Sequence, residues 1–408
     1  MLNSIPADGK IVFDSAPAEK TVFLTGDLIP REKAEINLVR GKVEAVFGTV
    51  LPEIRSSDLA VTNLETALTF AGTPIRKFGP ALRADPASLP GLVKAGFTVF
   101  SLANNHSRDF GDEAFLETMR HIQDAGARFA GGGKNRAEAA LPLRLTLGSF
   151  RLSIFAAALD QPCSATEETP GSNPLNPAAL AAAIADEKPD ADFILVTIHD
   201  GKEHIPFPSR RVRENCRAFI DAGASAVVGH HPHISQGLEQ YHGGLIAYSL
   251  GNFHFPARNK PETPGFWNRA FSLRLHLRRN GVTSIDILPH SNDPETDRID
   301  LMTGERKQNF LEELSRLNRI LADNALCDRY YAAAALPFAP HYFAQFKEAF
   351  QRQQDGDDSP EARNKMFYCF QCLNNGEHWD LLRSLTAVFS SEEPFLKPND
   401  VDDFTRKD

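Results

Sequence analysis

The chain has 408 residues, 42% of them hydrophobic, and a formal net charge of −9. That length and apolar content suffice for a sizeable core, in one large domain with an appendage or in two domains. The acidic balance and the lack of any long Lys/Arg block exclude a nucleic-acid backbone as the main partner, because such binding rests on neutralising phosphates.

Residues 1–20 read as an N-terminal extension. They contain Pro6, Asp8, Asp14 and Glu19 and lack the charged-then-apolar pattern of a signal peptide. No run in the chain approaches the length of a membrane span, so the expectation is a cytoplasmic protein with no membrane partner. From residue 21 onward, short apolar runs alternate with segments of helical period, the pattern of an α/β layer architecture. Residues 21–25 form the first predicted strand, followed by a helix over 31–47, a strand over 59–62, a helix over 88–95 and a strand over 98–102. A helix over 112–125 leads to Gly131-Gly132-Gly133-Lys134, which lacks the spacing of a nucleotide loop and reads as a tight turn. Then come a strand over 153–157, a helix over 177–187, a strand over 193–198, a helix over 210–222 and strands over 226–228 and 245–249. The pair 270–278 and 283–288 around Asn280-Gly281 reads as a hairpin.

The sheet part is expected to end near His290, giving a main domain over 21–290. Asn292, Asp293, Pro294, Glu295, Thr296 and Asp297 read as a polar connector. Residues 291–408 form a helical appendage with helices over 312–325, 340–353 and 359–374. Few of its residues are typical of chemistry, so packing on the main domain or homo-oligomer formation is the expected role. Its tail, residues 399–408, is expected to fray. The cysteines are Cys163, Cys216, Cys327, Cys369 and Cys372, an odd number without framework spacing, as for reduced thiols. Cys369 and Cys372 sit in an apolar segment with no second pair to complete a zinc site, and read as core.

The chemistry lies just past the strand ends. In order, those positions hold Gly26-Asp27, Asn63-Leu64-Glu65, Asn104-Asn105-His106, His199-Asp200, His231-Pro232-His233 and Gly251-Asn252. Open α/β sheets build their sites at the carboxyl ends of strands, so these dispersed segments should meet in one crevice. The densest is Val227 to Gln236, where His230, His231 and His233 follow an apolar run directly, and a His-x-His pair leaving a strand can turn two rings toward one cation. Carboxylates, amide oxygens and imidazoles without a thiolate make a mixed N/O donor set that suits zinc, manganese or iron.

The segments Thr25-Gly26-Asp27, Thr62-Asn63-Leu64-Glu65-Thr66, Ser101-Leu102-Ala103-Asn104-Asn105-His106-Ser107-Arg108-Asp109-Phe110-Gly111, Gly229-His230-His231-Pro232-His233 and Ala247-Tyr248-Ser249-Leu250-Gly251-Asn252-Phe253 resemble those of CapA-type proteins. That family is named for poly-γ-glutamate capsule synthesis and belongs to, or lies close to, the calcineurin-like metallophosphoesterases. The resemblance covers roughly residues 20 to 290. It implies a four-layer β-sandwich flanked by helices, with one or two divalent ions at its edge. By the same resemblance, Asp27, Glu65, Asn105, His199, His231 and His233 are the implied metal ligands. Glu65 takes the part of the bridging carboxylate, with Asn63 as the alternative, and His230 has a supporting role. His106 would stand beside the leaving group, with Asn105, as general acid or oxyanion stabiliser. Arg83, in a segment similar to the family's Phe-Arg-Ala, is implied as a substrate contact, and Asn63, Asn104, Glu203 and Asn252 complete the expected surroundings of the substrate. Arg76, Lys77, Arg210, Arg211 and Arg213 are further cations that could meet an anion, although the last three also fit a solvated helix face.

Two departures stand out. The phosphoesterase aspartate is followed two residues later by a histidine, where this chain has Ile29. After His199 the family commonly reads Trp-Gly-x-Glu-Tyr, whereas here the run is Asp200-Gly201-Lys202-Glu203-His204. Glu203 keeps the acidic position and could orient a metal-bound histidine. The expected function is a metal-dependent hydrolase that attacks a small anionic substrate with a metal-activated water. The alternatives are amide or peptide chemistry on glutamyl-type substrates, and a non-catalytic subunit that binds polyglutamate or a partner enzyme.

Overall fold

The computed structural model describes residues 2–77, 79–256, 265–279 and 281–390. Two sheets carry the architecture. A nine-stranded sheet runs, edge to edge, through Lys10–Val12, Gly281–Asn292, Arg269–Arg278, Lys20–Leu28, Leu59–Leu64, Val99–Ser101 and Arg128–Ala130, with Asn252–His254 pairing Lys20–Leu28 and Ile299–Leu301 pairing Gly281–Asn292. A six-stranded sheet runs through Leu238–Tyr241, Gly244–Ala247, Ala226–His230, Phe193–His199, Phe150–Ala158 and Leu143–Leu147.

Alternation along the central strands explains the layering. Val22, Leu24, Val61 and Val99 point into the core shared with Ile154 and Leu195 of the second sheet. Their neighbours Phe23, Ala60 and Phe100 point the other way, into a core with Phe47, Phe97 and Phe115 from the covering helices. Because the side-chain period of a strand is two, a strand buried on both faces reads as a continuous apolar run. Leu89–Ala95 and Asp112–Asp124 are crossovers between parallel strands of the first sheet, and Pro177–Glu187 and Arg210–Ala222 are crossovers of the second. The handedness of such crossovers places each pair on one face of its sheet. The result is helices, sheet, sheet, helices: the α/β sandwich implied by the sequence.

The ends differ from expectation. Lys10–Val12, within the supposed extension, pairs with Gly281–Asn292 as an edge strand. The polar run after Ser291 is a turn inside the sheet, since Ile299–Leu301 folds back onto His290–Asn292. Polar turn residues look the same in sequence whether they join domains or strands. The helical region comprises Gly304–Leu321, Asn324–Ala335, Ala339–Gln354, Pro360–Asn374 and Gly376–Ser390. Asn324–Ala335 and Gly376–Ser390 were not expected. All five cysteines are buried and free. Asn280, expected in the hairpin turn, and the tail over 399–408 lie outside the described residues. No helix among the described residues is long and apolar enough to cross a membrane.

Two glycines let neighbouring backbones within a sheet close. A side chain on Gly26 would lie 1.8 Å from the carbonyl oxygen of Gly251, and one on Gly229 would lie 1.9 Å from that of Tyr248. Only a hydrogen fits there.

His290 carries a stability prediction of its own. It is fully buried against Phe253, and neither ring nitrogen has a hydrogen-bond partner among the described residues. Burial pushes its pKa from 6.5 down to about 3. The unfolded chain therefore binds one more proton than the native protein between those values. The stability linked to this ring is complete above pH 6.5 and is lost as pH falls through that window, at about 1.4 kcal/mol per pH unit. His290→Met should remove this slope, so that at pH 5 the variant gains about 2 kcal/mol on the parent relative to their difference at pH 8. Urea midpoints at the two pH values test this, and parallel pH profiles would refute it.

Candidate metal centre

The strand ends bring their polar residues together at one edge of the sandwich. Asp27, Asn63 and Ser101 stand level in the first sheet, and His199 stands level with His230 in the second. Asp27, Glu65, His199, His231 and His233 are all buried, and Glu65 and Asp27 are 0% exposed. Candidate ligand atoms of Asp27, Glu65 and His199 lie within 4.8 Å of one another, as do those of Glu65, His231 and His233. His231 and His233 take positive φ, 97° and 55°. Non-glycine residues rarely adopt that conformation, and here it turns two rings into the cluster from a three-residue stretch.

Contacts inside the cluster are dense. Asp27 Oδ1 accepts from Asn63 Nδ2 at 2.8 Å and lies 3.3 Å from His230 Nδ1. Asp27 Oδ2 accepts from the His231 backbone N–H at 3.2 Å and lies 3.3 Å from His233 Nδ1. Asn105 Oδ1 is 2.9 Å from His199 Nε2. Glu65 is the exception. Oε1 lies 3.5 Å from His199 Nε2 and 3.8 Å from His233 Nε2, and neither carboxylate oxygen has a hydrogen-bond partner among the described residues. An unpaired, fully buried carboxylate is costly, and a cation is the group that would satisfy it. The surrounding N/O donors fit a divalent ion, so the residues present match the implied group.

Electrostatics agree. Burial raises the Glu65 carboxyl well above its ordinary range, and the charge of Asp27 adds to the effect. Burial would raise Asp27 as well, but hydrogen bonds and charge from His230 and His233 outweigh it and hold this carboxyl well below the ordinary range. Burial, with the charge of His231, holds His199 well below the usual imidazole range. Three of the side chains expected near substrate instead brace the cluster. Asn104 Nδ2 donates to Asn63 Oδ1 at 3.1 Å and to the Leu64 carbonyl at 2.8 Å. Asn252 Oδ1 lies 2.9 Å from His233 Nδ1. Each of these amides is spent on protein partners. Ile29, in place of the second histidine, is fully buried in the core.

Beside the cluster opens a cleft of about 570 Å³ lined by Lys77, Asn105, His106, Lys202, Glu203 and Glu377, among others. His106 Nδ1 lies 2.6 Å from Asp109 Oδ2, and Lys77 Nζ is 3.1 Å from the same ring nitrogen. Burial and Lys77 bring His106 down to about 4, so the ring is neutral at pH 7. With Nδ1–H given to Asp109, Nε2 carries the lone pair and can accept a proton. Among the described residues, the lysines of the cleft are Lys77 and Lys202, ion-paired with Asp109 and Glu377. Arg83 lies outside it, exposed, with its guanidinium 4.9 Å from the Phe110 ring centre. Arg76 hydrogen-bonds Asn364, Arg210 and Arg213 pair with Asp328, and Arg211 bridges Asp200 and Asp380. These arginines fasten the C-terminal helices.

The sequence reading missed Glu377. This residue of the Gly376–Ser390 helix places Oε2 at 3.0 Å from His231 Nε2 and 3.6 Å from Lys202 Nζ. Burial opposes its ionisation, but Lys202, His378 and His231 together hold the carboxyl well below its ordinary range. Asp109 was also missed as the partner of His106, although its place three residues later was visible in the motif.

The bacterial capsule synthesis protein PGA_cap family model matches residues 21–257, the stretch that holds every ligand candidate named above. Relatives include the capsule biosynthesis protein CapA of Bacillus anthracis, 31% identical over 66% of this chain and 66% of that protein. The PGA biosynthesis protein CapA of Bacillus subtilis (strain 168) is 28% identical over 71% of this chain and 76% of its own length. Among solved structures, a 5'-nucleotidase precursor from Thermus thermophilus aligns over 74% of this chain and 59% of that one, at 12% identity and a TM-score of 0.43. With the family model covering more than half of its length, the chain belongs to the PGA_cap family of bacterial capsule synthesis proteins.

Proposed function

We propose that this protein is a metal-dependent hydrolase acting on a small anionic substrate. The observation that carries the reading is Glu65, buried with both carboxylate oxygens unpartnered in the middle of an Asp/His/Asn cluster. Asp27, Glu65, Asn105, His199, His231 and His233 would hold one or two divalent ions, with zinc, manganese and iron suited to the donor set. A divalent ion held there supplies Lewis acidity toward a phosphoryl or carbonyl oxygen and toward water at neutral pH. The chain's own groups supply the rest. Lys77 and Lys202 line the cleft while ion-paired with Asp109 and Glu377, and His106, fixed through Nδ1 by Asp109, moves a proton at Nε2.

A second reading is amide chemistry on glutamyl compounds. It is favoured by the relatives' names, which speak of capsule and PGA biosynthesis, and by a lysine-lined cleft that suits carboxylates as well as phosphates. Elemental analysis of the native protein, followed by assays of phosphate release from phosphomonoesters and amine release from γ-glutamyl compounds, separates the two. Turnover is expected to cease with a chelator and to return with zinc, manganese or iron. Failure to bind any of these metals would leave only the third reading, a non-catalytic binding subunit.

A further inference from the structure

We propose that Glu377, from the C-terminal helical appendage, is the positioning residue of the metal ligand His231: it takes the Nε2–H of the ring and leaves Nδ1 to face the cation. The inference rests on the metal reading above, but it concerns a residue that lies outside the family match, which ends at residue 257.

The geometry is specific. Glu377 Oε2 is 3.0 Å from His231 Nε2. An oxygen that also faces the Lys202 ammonium is placed to accept, so the contact assigns the hydrogen to Nε2, and in the neutral ring Nδ1 then holds the lone pair. Nδ1 is buried and has no hydrogen-bond partner among the described residues. A histidine that donates one ring N–H to a carboxylate and offers its other nitrogen to a metal is the usual outer arrangement of metal centres, because the carboxylate fixes both tautomer and ring orientation. The carboxylate is itself held, with Oε2 3.6 Å from Lys202 Nζ and Oε1 3.1 Å from His378 Nε2.

The helix that bears it is registered against the site independently. Arg211 donates to Asp200, the residue after His199, at 2.6 and 2.7 Å, and to Asp380 at 2.9 Å. Asp380 also accepts from Ser209 Oγ at 2.7 Å. Asp380 lies three residues after Glu377, so both carboxylates leave the same helical face, one toward the His231 ring and one toward the His199 loop. Gly376 completes the fit, since a side chain there would approach the Arg211 guanidinium carbon to 3.1 Å.

The test is zinc affinity of the metal-stripped full-length chain, measured by competition with a chelator. Glu377→Ala should bind on the order of 10–100-fold more weakly than the parent. Glu377→Gln keeps an acceptor oxygen at the same reach and should restore most of the affinity, with His231→Ala as the ligand-loss control. Nitrogen-15 spectra of the zinc-loaded parent should show His231 protonated at Nε2 and coordinated through Nδ1, a readout that depends on no variant folding. Parental affinity in Glu377→Ala alongside loss in His231→Ala would overturn the positioning role and leave the metal centre standing. Coordination through Nε2 in the parent would overturn it too. Absence of zinc binding in the parent would overturn both readings together.

Discussion

Replacing Glu65 with methionine should empty the protein of metal and make the metal-free chain more stable. This carboxyl is buried beside Asp27, and neither oxygen finds a hydrogen-bond partner among the described residues. Leaving a buried polar group unsatisfied costs about 1–3 kcal/mol, a cost that an apolar side chain of the same shape does not carry. Methionine nearly matches the volume and can adapt to the space. Urea midpoints in excess chelator should therefore rise by about 1–3 kcal/mol of stability, while elemental analysis of the native variant finds no zinc, manganese or iron. A variant less stable than its parent under chelation would mean that Glu65 serves the fold rather than a cation.

His106→Ala is expected to act in the opposite register, removing turnover and sparing the metal. The ring lines the cleft with its Nδ1 tied to Asp109 at 2.6 Å, and proton transfer by a positioned side chain contributes about 10²–10⁴-fold. The fall in kcat should be of that order, with metal content equal to the parent's. Loss of metal in this variant would place His106 among the ligands and remove its assigned part in proton transfer.

Much of the site was legible because it is built where backbone direction dictates. Asp27, Glu65, Asn105, His199, His231 and His233 each follow an apolar run closely, and parallel strands deliver such positions to one edge whatever the rest of the chain does. Arg83 lies outside the cleft because a long, flexible cation carries no directional signal; from the short strand Arg83–Ala84 its guanidinium lies over Phe110. Arg210, Arg211 and Arg213 looked like a solvated face or an anion site because their partners, Asp200, Asp328 and Asp380, are scattered over the chain. Glu377 was invisible for the same reason. It is one acidic residue in a helix without a motif, far in sequence from His231, and only the docking of that helix gives it a role. Asn63, Asn104 and Asn252 were seen, but pattern alone does not reveal whether an amide faces substrate or braces a neighbour.

The ligand candidates come from both sheets: Asp27, Glu65 and Asn105 from one, His199, His231 and His233 from the other. In the protein alone, light ties cross this seam, such as Asn105 to His199 and the His231 N–H to Asp27. An ion gripped from both sides would work as a rivet, so that the two layers could slip past each other only by tearing its coordination apart. Loading the metal should therefore slow amide exchange in the inner strands of both sheets in step, at positions far from the ion, and the sandwich would open as one body instead of layer by layer.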